Sequence, residues 1–237
     1  MKVLSWWRRC LGNKDCLLCH GAAVSDGLCA GCAQDLSALR TDAAAVCPRC
    51  GRSSTNGAVC GRCQQTPLPF ERLWASVYYE APASNMLYAF KHRAERSMLR
   101  PLCSMMLSHP PPWLESAGVD CVLAVPLSKQ RRLFRGFNQS DGLAGAVGKS
   151  YGLPVLPHTA VFRRHHAPQS TLKQNERRKN VKNAFVLNNQ YVKNRKILLV
   201  DDVATTGATF EELARTLKRA GASAVFCWAL AHTQLKK

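Results

Sequence analysis

Asp201 and Asp202 stand side by side after a short apolar run, Ile197 to Val200, and lead into a turn-forming stretch, Ala204 to Thr209, that is rich in hydroxyls. A carboxylate pair suits a diol with a bridging divalent cation. A Gly- and Thr-containing turn that opens a helix suits a phosphate, because the first N–H groups of a helix have no intrahelical partner and the dipole there is positive. Thr205, Thr206 and Thr209 add hydroxyl donors, and Gly207 lets the backbone approach a ligand closely. The two in succession describe a sugar phosphate. A plain strand-to-helix turn needs one capping acid or hydroxyl, whereas residues 201–209 carry five.

The elements that must hold these groups are legible around them. Ile197–Val200 reads as a parallel strand covered on both faces, with the chemistry at its carboxyl end, where open α/β sheets bind ligands. Phe210 onward reads as a helix, with Leu213, Leu217 and Ala220 on one face and Gly221 closing it. Four apolar residues, two acids and a Thr/Gly loop resemble the PRPP-binding signature of type I phosphoribosyltransferases. The resemblance implies that Asp201 and Asp202 hold the ribose hydroxyls. It places the 5′-phosphate on Ala204, Thr205, Thr206, Gly207, Ala208 and Thr209, with Mg²⁺ accompanying PRPP. Ala204 departs from the signature, which usually has a branched aliphatic there, a change that touches packing.

From Val119 the chain alternates short apolar runs with helical text, as a parallel sheet of βα units does. Val122–Pro126 reads as a strand, followed by a basic loop ending at Gly136, a helix to about Lys149 and a second strand near Leu153. Arg131, Arg132 and Arg135 in that loop are the candidates for a pyrophosphate, since a guanidinium fork matches phosphate oxygens. Asn138 either caps the helix or touches ligand. Residues 163–185 carry seven basic side chains against one acid and few apolar ones, which marks an exposed, mobile loop. Arg163, Arg164, Lys173, Arg177, Arg178 and Lys179 are its candidates for a polyanion. In type I phosphoribosyltransferases a flexible loop in this place closes over PRPP. His165 and His166 read as exposed rather than as ligands.

Eight of the twelve cysteines form a repeat. Cys16, Cys19, Cys29 and Cys32 follow the pattern C-x2-C-x9-C-x2-C, and Cys47, Cys50, Cys60 and Cys63 repeat it 31 residues later. Paired thiolates at this spacing give a tetrahedral set for one structural Zn²⁺ per half, as in zinc ribbons. Spacing alone also allows knuckles from both halves to share a metal. A disulfide framework would need an oxidising compartment, and the start of the chain shows no signal peptide, so a cytoplasmic protein with no membrane insertion is expected. Cys103, Cys121 and Cys227 read as core residues; Cys10 sits before the repeat and takes no assigned role.

The formal charge is +18, from 33 basic and 15 acidic residues, and eight thiolates with two Zn²⁺ would lower it to about +14. Such an excess points to a polyanionic partner, although basic residues that serve anionic PRPP and a solvated surface are the plainer reading. The chain divides into a double four-cysteine zinc-ribbon module (1–65), a linker and hood segment (66–118) and an α/β domain (119–237). In the middle segment the helical text from Ser84 to Leu107 is expected to break at Pro101. Trp6, Trp7, Trp74, Tyr78 and Tyr79 lie near basic residues and would stack bases or, as the favoured reading, pack an interface between modules.

The double cysteine quartet, VPLSKQRRLFRGFNQS, QSTLKQNERRKNVKNAF and ILLVDDVATTGAT together resemble the ComF family of bacterial phosphoribosyltransferase-like proteins, with its GntX-type relatives, over nearly the full chain. That implies an α/β, type I phosphoribosyltransferase-like parallel sheet with a small N-terminal zinc-ribbon module. It also implies a cytoplasmic protein of natural transformation that handles incoming single-stranded DNA, with competence-machinery proteins among its partners. Two other readings stand beside it: a true phosphoribosyltransferase acting on an unidentified acceptor, and a DNA-binding module with a vestigial PRPP site. The C-terminus ends soon after the last strand, so any acceptor hood must come from residues before Val119, the metal module included.

Overall fold

The computed structural model describes residues 15–164 and 183–233. Four strands form one parallel sheet: β1 (Arg72–Tyr78), β2 (Cys121–Ala124), β5 (Lys196–Ala204) and β6 (Ala224–His232), in the order β1-β6-β5-β2. A separate antiparallel pair is made by β3 (Val161–Arg163) and β4 (Phe185–Leu187). Helices α3 (Ala83–His92), α4 (Leu99–Leu107) and α7 (Gln139–Tyr151) cover one face of the sheet, and α8 (Ala208–Arg219) with the β3–β4 pair covers the other. The smaller helices are α1 (Ala30–Ser37), α2 (Gly61–Gln65), α5 (Leu114–Ala117) and α6 (Lys129–Arg135).

Apolar residues fill both faces because a parallel strand covered by helices has no solvent side. Leu198, Val200, Trp228 and Leu230 enter one core, and Ile197, Leu199, Cys227 and Ala229 the other. Trp228 is fully buried, and its indole N–H donates to Ser76 Oγ at 2.9 Å. Cys121 and Cys227 are buried in the sheet, as expected of core cysteines, while Cys103 is half-buried.

Several elements differ from the sequence reading for identifiable reasons. Strand β5 does not stop at Val200; it pairs with β6 through Asp201, Val203 and Ala204, so both carboxylates and Ala204 belong to the strand. In residues 66–118 the stretch Ala75–Pro82 reads as a strand and turn; the strand is present as β1 but begins earlier, at Arg72, and is an edge strand of the main sheet that pairs with β6. Pro101 does not break the helical text. It occupies the first turn of α4, where an N–H would have no intrahelical partner, and the break falls before it, at Ala94 with φ 53°. The basic loop after β2 is a helix, α6, opened by Ser128 Oγ accepting from Arg131 N and closed by Gly136 at φ 75°. The strand expected near Leu153 is reduced to one bridge, Val155 to Val122.

The free edge of β1 is covered by the cysteine-rich segment: Thr41 N donates to Ser76 O, Tyr78 N to Leu39 O, and Leu73 N to Arg49 O at 2.9 Å. That cover removes the unpaired backbone of an open edge. Among the described residues no helix is long and apolar enough to cross a membrane.

The 153–155 segment packs closely on helix α7 because there is no side chain at Gly148; a Cβ there would stand 2.8 Å from the Leu153 carbonyl oxygen and 2.5 Å from Val155 Cγ2. Gly145, on the outer side of the same helix, has nothing within 4 Å. Gly148→Ala should therefore cost about 1–3 kcal/mol by overpacking, while Gly145→Ala should stabilise by up to about 1 kcal/mol through helix propensity. Urea midpoints of the two variants, moving in opposite directions, are the expected outcome.

Candidate functional site

Asp201 and Asp202 lie at the carboxyl end of β5 and, as successive strand residues, leave the chain on opposite faces. Each therefore finds its own partner. Asp201 Oδ1 accepts from Ser140 Oγ at 2.7 Å, at the start of α7, and from the Asp202 backbone N–H at 2.9 Å. Asp202 Oδ1 pairs with Lys91 Nζ of α3 at 2.8 Å, with both side chains largely withdrawn from water. Loss of water, followed by the neighbouring Asp202 charge, pushes the Asp201 carboxyl up to about 7, against the lowering effect of Ser140 and Lys91. One of the two acids is thus poised to take or lose a proton near neutrality.

The turn after β5 spans Thr205–Gly207, shorter than the expected loop because Ala204 is buried in the strand. Gly207 caps α8 in the left-handed region, φ 78°. Thr206 is buried, and its hydroxyl oxygen accepts from Ala208 N at 3.3 Å, so its oxygen serves the turn itself. The first intrahelical bond runs from Glu211 N to Gly207 O, so the N–H groups of Thr209 and Phe210 precede it, with no carbonyl behind them in the helix. Thr205 and Thr209 are half-buried beside them.

Arg135 and Arg163 converge on the acids. Burial lowers both guanidinium groups from their ordinary value, while Asp202 and Asp201 for Arg135, and Asp201 for Arg163, pull the other way. Arg135 also donates to Gln139 Oε1 at 3.2 Å. Arg131 and Arg132 are exposed on α6, and Arg164 follows β3. Lys173, Arg177, Arg178 and Lys179, like His165, His166, Cys10, Trp6 and Trp7, lie outside the described residues. Asn138 stands at the N-cap of α7, but its amide donates to Val125 O and Asp141 Oδ1, tying α7 to β2 instead of capping the helix with its oxygen. Trp74 is buried and donates to His109 O within the same 66–118 segment.

No pattern along the chain marks Lys91, a lone lysine in a helix about a hundred residues upstream, or Ser140. Nor does any pattern show that Arg52 Nη2 reaches the Thr206 carbonyl at 2.9 Å and Arg62 Nη2 reaches Glu211 Oε1 at 2.6 Å. His232, at the end of β6, is buried and lowered to about 4, by burial first and the Arg52 charge second, so it stays neutral.

The cysteines close into two separate quartets, Cys16/Cys19/Cys29/Cys32 and Cys47/Cys50/Cys60/Cys63, the ligand atoms of each within 4.8 Å of one another. The interleaved pairing is not adopted. Cys19 Sγ to Cys29 Sγ and Cys50 Sγ to Cys60 Sγ are both 3.6 Å, close to the roughly 3.8 Å that Zn–S bonds of about 2.3 Å impose on a tetrahedron. Burial raises the Cys16 thiol, yet backbone N–H groups of Cys19, Cys29 and Leu18 bring it down to about 6, favouring the thiolate a metal needs. Each quartet can hold a zinc ion.

Residues 154–236 match the phosphoribosyl transferase domain family. The chain is 35% identical over 211 residues to DNA utilization protein YhgH of Escherichia coli (strain K12), covering 87% of this chain and 91% of that protein. It is 28% identical over 229 residues to Competence protein F of Haemophilus influenzae, covering 92% and 97%. Competence protein ComFC of Bacillus subtilis is 30% identical over 188 residues, with 76% and 74% covered. A likeness that runs through most of each protein, joined to a phosphoribosyltransferase-like sheet and a double cysteine quartet, means that this chain belongs to the ComF family.

Proposed function

We propose that this protein binds Mg²⁺–PRPP at the end of β5 and acts in natural transformation, in the cytoplasm, on incoming single-stranded DNA, with two structural Zn²⁺ in its cysteine quartets. The observation that carries the PRPP reading is the paired acid site, Asp201 with Ser140 and Asp202 with Lys91, set directly before the Thr205–Gly207 turn. Asp201 and Asp202 would take the ribose hydroxyls, the turn and Thr209 the 5′-phosphate, and Arg163 with Arg131, Arg132 and Arg135 of α6 the pyrophosphate. Lys91 would then exchange part of its bond to Asp202 for ligand, since an ammonium can serve both. Mg²⁺, when bound, screens the pyrophosphate charge. The DNA utilization and competence names of the relatives supply the biological setting.

A transferase reaction would use the same groups: the acids fix the ribose while arginines stabilise departing pyrophosphate. It would also need an acceptor pocket from the hood. Lys91 of the 66–118 segment and Arg52 of the cysteine module both reach this end of the sheet, so those segments are placed to contribute one.

The single-stranded DNA reading draws on α6. Leu133 and Phe134 are 83% and 90% exposed there, among Lys129, Arg131, Arg132 and Arg135. An open aromatic face set among cations suits bases that stack and phosphates that pair.

Calorimetric titration with Mg²⁺ and PRPP is the first test: saturable binding that is lost in Asp201→Asn/Asp202→Asn is expected. No binding to the parent protein, confirmed by a second assay, would leave a DNA-binding module with a vestigial pocket. For DNA, Phe134→Ala should weaken single-strand binding by about 1–3 kcal/mol with the salt slope unchanged, whereas Arg131→Ala/Arg132→Ala should flatten that slope. Equal affinities and slopes would move the DNA elsewhere on the surface. The raised Asp201 pKa has a sign that can be checked. Between about pH 4 and 7 the native carboxyl keeps a proton that the unfolded chain has lost, so this group's contribution to stability declines as pH rises through that window. Asp201→Asn should melt above the parent at pH 8, by on the order of 1 kcal/mol, with the difference vanishing near pH 4.

A further inference from the structure

The second cysteine quartet touches the phosphate turn through two arginines, and both are held at the backbone by the quartet's own fold. Cys47 N donates to Arg52 O at 2.7 Å, two residues after Cys50, and Arg62 lies in α2 between Cys60 and Cys63. The knuckle is itself fixed to β1: Leu73 N donates to Arg49 O, and Gly51 packs so tightly on Leu73 that a Cβ would stand 2.9 Å from its Cδ2.

Arg52 donates to the Thr206 carbonyl at 2.9 Å. In a planar trans peptide the carbonyl and the following N–H point in opposite directions. Holding Thr206 O toward the knuckle therefore aims the Gly207 N–H away from the knuckle. The anchor matters because Gly207, at φ 78°, is the residue type that lets a turn peptide flip. Arg62 acts on charge. Glu211 lies in the first turn of α8, with its Oε1 3.8 Å from where a Gly207 Cβ would be. An uncompensated carboxylate there would repel a phosphate, and Arg62 at 2.6 Å neutralises it.

We propose that Arg52 and Arg62 are positioning residues of the sugar-phosphate site, Arg52 by orienting the Thr206–Gly207 peptide and Arg62 by neutralising Glu211, so that the second cysteine quartet is a working part of that site. The inference rests on the reading that this turn takes the phosphate of PRPP.

The test is calorimetric titration of the full-length, zinc-loaded protein with Mg²⁺–PRPP, for the parent, Arg52→Ala, Arg52→Lys, Arg62→Gln and Arg62→Gln/Glu211→Gln, with zinc content and melting temperature measured on each. Arg52→Ala should bind about 10-fold more weakly, and Arg52→Lys, which keeps a charged donor, should recover part of that loss and stand in if the alanine variant folds poorly. Arg62→Gln should bind about 3-fold more weakly, and adding Glu211→Gln should restore affinity, because the harm lies in the exposed charge and not in a missing contact. A purely scaffolding role would lower zinc content or melting temperature with no rescue by the second substitution, and that result overturns the proposal. Parent-like affinity in both Arg52→Ala and Arg62→Gln overturns it as well. Failure of the parent protein to bind PRPP overturns the reading of the site itself, and this proposal with it.

Discussion

Two carboxylates on consecutive residues cannot be withdrawn from water at the end of a sheet unless donors and cations from other parts of the chain come to them. Burial and mutual repulsion both oppose the doubly ionised pair. Although the strand sends the two side chains to opposite faces, their nearest partners both come from helices on one side of the sheet, α7 and α3. Ser140 at the start of α7 serves Asp201, Lys91 of α3 serves Asp202, and Arg135 and Arg163 lie close enough to feel the charge of Asp201. The helices that cover the hydrophobic faces thus also bring polar groups to the strand ends, and the placement of the site follows from the packing of the core.

The cysteine-rich segment is integrated with that core. Leu28, Leu36 and Val46 of this segment enter the main core, while Cys47, Cys50 and Cys63 form their own small buried cluster. Each quartet is able to hold a metal ion whose binding would add to the folding free energy. Once closed, it covers the free edge of β1 and presents Arg52 and Arg62 to the turn after β5. One segment therefore both covers a sheet edge and faces the turn after β5.

Local patterns are legible wherever the relevant physics is local. The buried-strand run at Ile197–Val200, a helix from about Phe210, which begins at Ala208, a last strand near the C-terminus and the two cysteine quartets can all be read from short windows. Boundaries that differ from the sequence reading have a tertiary cause. Strand β5 continues through Asp202 because β6 offers a ladder to Ala204, and a propensity reading of two acids and an alanine has no access to that partner. Pro101 looks like a breaker along the chain because its tolerance depends on where the helix begins. The residues after Ser128 look like loop because a seven-residue helix rich in arginine, with Leu133 and Phe134 turned to solvent, lacks an apolar face that would mark it.

Residue type and short spacing set the chemistry on offer: an acid pair followed by a phosphate-type turn, two tetrahedral thiolate sets, and a large cationic excess. These features survive any arrangement of the rest of the chain. Which distant side chains answer that chemistry was a matter for the packed molecule alone. Lys91 and Asp202 are separated by more than a hundred residues, as are Arg52 and Thr206. Such pairs leave no periodic trace along the chain, because they are created by how helices and knuckles pack on a sheet. The same packing closed each quartet on itself instead of across the repeat, a choice that two identical spacings could not make.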